Sequence, residues 1–406
     1  MTLPVLPNAT ARRLFLHCHA LAEQPAGPAK GAALHDLINR IGFVQVDSIN
    51  TVERAHHMIL WTRRHSYRPE ALKALLERDR ALWEHWTHDA SILPAALFPH
   101  WKHRFAADRV RLVARWQGWQ RDGFETKFDE VLRRVADQGP VTSADVGEGE
   151  ARGSGGWWDW HPSKAALEYL WRVGELSVTR REGFRKVYDL TERVLTAEHR
   201  LPEVPHAETV AWACNSALDH LGFATPTELA AYWNAVPIME AKAWCAEELR
   251  RGALIEVEVE GADGTLRRAL TRPDTPAHAA TLGPAPARVR ILSPFDPALR
   301  DRNRAERLFG FCYRIEVFVP EPRRQFGYYV FPVLQGERLM GRVDAKAFRQ
   351  DSTLRVRAFW PETGIRASAA RMDGLGAALE RLATFSGCDK VDRAPDWLRE
   401  PQRMRV

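Results

Sequence analysis

Gln45 and Asp47 stand two residues apart in the apolar stretch FVQVDSI. In an extended chain, residues i and i+2 point to the same side, so this spacing sets an amide beside a carboxylate. A carboxylate so placed could take a proton from water or stabilise a positively charged transition state, with the amide holding the water. The same residues also have a purely structural use. Asp47 or Ser48 could cap the next helix while Gln45 pairs with backbone.

Other groupings invite chemistry less directly. Ten of the fifteen histidines precede residue 104, and His85, His88, Glu84 and Asp89 cluster in EHWTHD. Metal sites need converging ligands that are oriented by outer hydrogen bonds. His and Trp alternating along a helix read better as partly buried polar aromatics, so no metal is expected. Trp157, Trp158 and Trp160 could stack on bases, but Trp at the foot of a helix is expected to plug a small core. The turn EPRRQFG puts Arg323, Arg324 and Gln325 at the tip of an expected hairpin, where two guanidiniums and an amide could enter a groove. Its plainer reading is an exposed polar turn. SPFDPALRDRNRAERLF mixes Arg300, Arg302, Arg304 and Arg307 with Asp296, Asp301 and Glu306, the pattern of a supporting ion-pair network. No phosphate-binding loop, GxGxxG, HExxH or GxSxG occurs, so no cofactor is expected.

The elements that would position these groups repeat. TPTELAAYW opens a helix with a capping box of Thr225 and Glu228 and with Pro226 at the first helical position. IMEAKAWCAEELRRG is a second helix stopped by Gly252, and LIEVEVEGADGTLRRAL a hairpin. Helix, helix, hairpin is the order of a winged helix. A similar order starts near Gly139: GPVTSADV as a short helix, SKAALEYLWRVG as a second, then a hairpin turning near Gly183. That hairpin carries Arg180, Arg181, Arg185 and Lys186, which suit phosphates. The first 105 residues read as mostly helical. They include NTVERAHHMILWTRRHS, capped by Asn50 and boxed by Glu53. Beyond the Pro/Ala-rich 272–288 linker the chain turns to β: RIEVFVP, YYVFPVL, RLMGRVDAKAF and TLRVRAFW, closed by the helix GLGAALERLATFSG. The expected division is 1–135, a helical or winged-helix unit with the Gln-x-Asp pair; 136–200 and 201–275, two winged helices; and 285–406, a β-rich domain.

Composition bounds the partners. Among 406 residues, 45% are hydrophobic and 27% charged, which excludes disorder and fibrous folds. Only nine of the 58 cationic residues are lysine, and the net charge is +6. Arginine's planar fork suits phosphate, although a GC-rich genome also favours it. Apolar runs are too short for a membrane span, no export signal is visible in the opening residues, and the five cysteines form no CxxC pair. A reduced, cytoplasmic α+β protein is expected, with DNA as a partner that the residues permit but do not demand.

QVDSINTVERAHHMILWTRR, EHWTHDASILP, the WWDW loop, SPFDPALRDRNRAERLFGFCYRIEVFVP and RRQFGYYVFPVLQGERLMGRVDAKA together resemble the YcaQ-like bacterial DNA glycosylases. This family includes the azinomycin-resistance glycosylase AlkZ. No single block is very specific; their order is, and they span about residues 10 to 385. The resemblance implies tandem winged helices in a C-shape around DNA with a β-rich C-terminal part. It also implies removal of N7-alkylated guanine and unhooking of interstrand crosslinks, without metal or cofactor. The family's catalytic motif stands here as Gln45-Val46-Asp47, the Gln-x-Asp branch, and its duplex-probing hairpin is assigned to the Arg323–Gln325 turn. A monomer acting on double-stranded DNA is expected, with no membrane partner. The alternative is a non-catalytic winged-helix regulator. The preferred adduct, and repair against self-resistance, stay open.

Overall fold

The structure, a computed structural model, describes residues 2–117, 123–150 and 160–404. Among these residues, helices alternate with three sheets of three strands and one of five, the α+β class read from the sequence.

The helix Gly31–Ile41 buries Leu34, Leu37, Ile38 and Ile41, one stripe at helical spacing. It stops at Gly42, whose φ of +82° turns the chain into the strand Val44–Gln45. That strand pairs antiparallel with Ala90–Pro94, which forms a hairpin with Leu82–Trp86. EHWTHD, read as helical, is therefore a strand leading into a hairpin tip. Aromatic and β-branched residues on both arms favour the ladder, and Trp83 opposite Leu93 is buried.

A second correction follows Asp47. Asn50 and Glu53 do not open a helix; 46–54 is irregular, and the helix spans Ala55–Arg63. The far end of the chain pins this segment: Ala347 N–H donates to the Thr51 carbonyl, and Arg349 to that of Val52 at 2.6 Å. Val52, Ala55, His56 and Ile59 are buried.

The strands Val141–Thr142, Arg185–Leu190 and Leu176–Glu182 form a sheet with the order of the first: a short strand beside the second arm of a later hairpin. GPVTSADV supplies that short strand and a turn rather than a helix. Thr142 there bonds the Asp145 carboxylate through both its N–H and its hydroxyl. Helices Pro226–Trp233 and Ile238–Arg250 and the hairpin Ile255–Glu260/Leu266–Thr271 appear as read, including the Thr225–Glu228 capping box. Val5–Leu6 adds a parallel third strand.

The C-terminal sheet runs Val289–Ile291, Val330–Gln335, Arg338–Phe348, Thr353–Pro361, Lys390–Arg393, covered by the helix Ala369–Phe385. Its inner residues share one core with the first region: Val52, Ile59 and Leu60 cluster with Val333, Val343 and Phe359. Arg63 and Asp296, both wholly buried, join the regions by two bonds of 2.8 and 2.9 Å. The 272–288 segment includes a short helix, Thr275–Thr281, whose Ala279 is buried.

The stretch 310–329 contains no strand. The expected hairpin of RIEVFVP and YYVFPVL is a loop with one helical turn, Glu321–Arg323, and the strand begins only at Val330. Pro320 and Pro322 lack ladder donors, and the buried Glu316 carboxylate takes the backbone N–H groups of Gln325, Phe326 and Gly327 at 2.6, 2.8 and 3.1 Å.

Candidate active site

Gln45, the last residue of its strand, is buried, and both ends of its amide are held. Nε2 donates to Asp89 Oδ2 at 3.2 Å, and Oε1 accepts from His88 Nε2 at 3.1 Å. Both partners sit at the tip of the 82–94 hairpin. A carboxylate only accepts, so Asp89 fixes the amide orientation. The amide oxygen then fixes the proton of His88 on Nε2, and Nδ1 accepts from the Thr87 hydroxyl at 3.1 Å. Asp89 Oδ1 is in turn held by the Ala90 N–H at 2.8 Å. The second N–H of the Gln45 amide remains for a water or substrate.

Asp47 lies alongside. The Val46 N–H bonds the Ala90 carbonyl at 2.8 Å, so Asp47 and Asp89 flank one backbone bridge between the two segments. Asp47 Oδ1 accepts the Ile49 N–H at 2.7 Å, a local turn that stops the carboxylate swinging away. The capping role thus falls within the loop and leaves Oδ2 for other contacts. Gln45 and Asp47 are both linked to Asp89, the first by a hydrogen bond and the second by the charge that raises its carboxyl.

The site favours positive charge. Burial raises the Asp47 carboxyl above its ordinary range, the Ile49 N–H partly offsets this, and the negative charge of Asp89 raises it further. Asp89 is raised too, chiefly by burial. Burial, with Arg300 and Arg302 nearby, drives His88 down to about 3, so it is a neutral donor across the physiological range. Tyr329 is buried beside Asp47 and is held neutral by burial and by that carboxylate. Two carboxylates with an oriented amide suit a cation forming between them.

Sequence reasoning missed His88 and Asp89 as partners of Gln45, because EHWTHD was weighed only as a metal set. Among the described residues, no three His, Cys, Asp or Glu converge to hold a metal. His85 bonds the Trp171 carbonyl, His100 the Thr209 hydroxyl and His103 the Val204 carbonyl, each in its own place. The polar Thr87–Asp89 between two short runs, LWEHW and ASILP, was the signal that would have put those three residues at a tip.

The second-unit hairpin turns at Gly183–Phe184, as read, with Gly183 exposed and Phe184 packed inward. Phe184 lies against the guanidiniums of Arg54 and Arg181, with centroid distances of 3.9 and 4.3 Å. Arg181 forks onto the buried Glu84 at 2.7 and 2.5 Å, and Lys186 binds Glu168 at 3.0 Å over the Trp171 ring. The expectation of four phosphate-facing cations is thereby corrected: Arg181 and Lys186 are committed to internal acids. Arg180 and Arg185 are exposed.

Arg323 is exposed, while Arg324 donates to the Val319 carbonyl at 2.8 Å and lies over Tyr328. Gln325 donates to the Arg403 carbonyl at 2.6 Å. Trp157 and Trp158 lie outside the described residues; Trp160 packs against the second unit's core with Lys164 over its ring. The Arg-rich 294–310 stretch supports the fold, but through partners outside the charged set read from the sequence: Arg304 and Arg307 are both on Glu228, Asp296 is on Arg63, and Arg300 and Arg302 donate to backbone carbonyls.

The profile of the DNA glycosylase AlkZ-like family matches residues 38–385. Among solved structures, the fold is similar to Streptomyces sahachiroi DNA glycosylase AlkZ, with a TM-score of 0.63 at 17% identity over 96% of this chain and 98% of that one. Among the described residues, no helix is long and apolar enough to cross a membrane. A catalytic family replaces the reading of a regulator without chemistry. The site at the end of the Val44–Gln45 strand lies within the matched region, and the chain belongs to the AlkZ-like family of DNA glycosylases.

Proposed function

We propose that the chain hydrolyses the N-glycosidic bond of N7-alkylguanine in double-stranded DNA, unhooks interstrand crosslinks made through N7, and leaves an abasic site. The observation that carries this reading is Asp47 set beside an amide whose orientation Asp89 and His88 fix. Alkylation at N7 gives guanine a positive charge and makes it a good leaving group, so no acid need protonate it. Departure of the base leaves an oxocarbenium-like sugar. Asp47 stabilises that cation and takes the proton of the attacking water, and the remaining N–H of Gln45 orients that water. Lys186, whose charge reaches Asp89, is held by Glu168, so hydrolysis rather than an amine adduct follows.

The three helix-and-sheet units read as winged helices that clasp the duplex in a C-shape, the first two sharing one strand order. Exposed Arg180, Arg185 and Arg323, with Arg324, are the phosphate contacts proposed for this surface. One chain supplying three such units acts as a monomer. Cytoplasmic DNA is the partner in keeping with this chemistry.

The test uses one duplex with a site-specific 7-methylguanine and another with an N7–N7 mustard crosslink, each treated with alkali after incubation. Wild type should cut both. Asp47→Asn should lose about 10²–10³ in rate, the scale of one transition-state electrostatic contact. Binding without cleavage of either duplex by wild type would refute the assignment.

A further inference from the structure

A cavity of about 330 Å³ opens between the first unit and the second-unit hairpin. Val46, Leu72, Leu76, Ile92, Val178 and Phe184 form its apolar wall. Two imidazoles line it as well. The His56 ring lies nearly parallel to Phe184 at 6.2 Å and against His57 at 4.1 Å. Burial holds both neutral, with His57 down to about 4. His56 is 7% exposed, and its Nδ1 has no hydrogen-bond partner among the described residues.

The charged groups lining the cavity pair off, with one exception inside it. Glu84 takes the fork of Arg181, Lys73 stands 3.8 Å from Glu77, Arg180 binds Glu182 at 2.7 Å, and Arg349 reaches Glu53 at 3.4 Å. Glu70 is exposed to solvent. Arg54 remains. Its guanidinium is half-buried over the Phe184 ring at 3.9 Å, and among the described residues no carboxylate or carbonyl oxygen binds it. A guanidinium without an acid, set among aromatic and aliphatic walls, suits a carboxylate carried on a flat ring. The unpartnered Nδ1 favours a ring with a polar edge over a hydrocarbon. We propose that this cavity is a binding site for a small heteroaromatic carboxylate, held at its acid by Arg54 and at its ring by the wall of Phe184 and His56. An inorganic anion would leave the apolar wall unfilled, and an uncharged ring would leave Arg54 unmet. Val46 joins Gln45 to Asp47, so a bound ligand packs on the residue between them. Binding there does not depend on the excision reading.

The test titrates the full chain with indole-2-carboxylate by calorimetry, with indole-2-carboxamide and inorganic phosphate as comparisons. The carboxylate should bind one to one and raise the melting temperature. The carboxamide should bind about 10- to 100-fold more weakly, the scale of a hydrogen bond to a charged group, and phosphate at equal concentration should not displace the acid. Arg54→Gln should lose affinity by the same factor. Leu76→Trp, which fills the cavity and keeps Arg54, should abolish binding, with circular dichroism reporting that each variant is folded. No one-to-one binding of the carboxylate to wild type, or equal binding of the carboxamide, would overturn the proposal whatever the variants do. Undiminished binding by folded Leu76→Trp would put the acid elsewhere and overturn the site. Displacement by phosphate would reduce Arg54 to a general anion contact and overturn the aromatic class.

Discussion

The carboxylate of Asp47 is charged at a place that disfavours charge, and this separates its roles in activity and stability. Its folded pKa is raised, so at neutral pH ionisation opposes folding, and the penalty disappears once pH falls below the ordinary aspartate range. Asp47→Asn should therefore raise the melting temperature at pH 7 while slowing excision by about 10²–10³, with the gain fading as pH approaches 4. Asp89 acts through Gln45 and through its charge on Asp47. In Asp89→Asn the like charge is gone, so the acid limb of kcat/KM should move to lower pH. The rate should also drop, by up to about 100-fold, because the amide loses its orienting acceptor. A pH–rate profile of the variant reads both. The pair Gln45 and Asp47 was legible as a motif, although the strand ends at Gln45, and Asp47 stands in the irregular segment after it. His88 and Asp89 were not, because strand pairing 43 and 44 residues away fixes them on Gln45.

At the scale of elements, Gly42 ends one helix and aims the strand that carries Gln45. The last carbonyls of that helix, Arg40 and Ile41, accept from His220 and the Tyr232 hydroxyl, both at 3.0 Å. A Cβ on Gly42 would meet that hydroxyl at 2.7 Å and the His220 ring at 3.0 Å, and φ is positive besides. Gly42→Ala should cost roughly 2–4 kcal/mol from strain and overlap, read by urea unfolding, and should reduce excision by displacing Gln45. Local signals carried much of this level. The Thr225 capping box, the 183–184 turn and the long C-terminal strands follow from residues within one turn of each other. Asn50 and Glu53 carry the same capping signal, but bonds from Ala347 and Arg349 override it. The loop at 310–329 misled because its alternation is real, while its backbone donors go to one carboxylate, Glu316.

Across the whole molecule, the two ends of the chain form one core, closed by the Arg63–Asp296 pair. Arg63 also donates to the His19 and Ile59 carbonyls, so Asp296→Ala would strand a buried guanidinium. It should cost about 3–5 kcal/mol in denaturant unfolding, whereas replacing both partners with matched apolar residues should cost far less. Neither partner's fate could be read locally, since 233 residues separate them. The same topology orders events during synthesis. The segment after Asp47 is pinned by Arg349, 297 residues beyond Val52, so the reaction centre cannot be set until nearly the whole chain has left the ribosome. A nascent chain, or one cut short before residue 349, would carry Gln45 and Asp47 without the bonds that pin the segment after them.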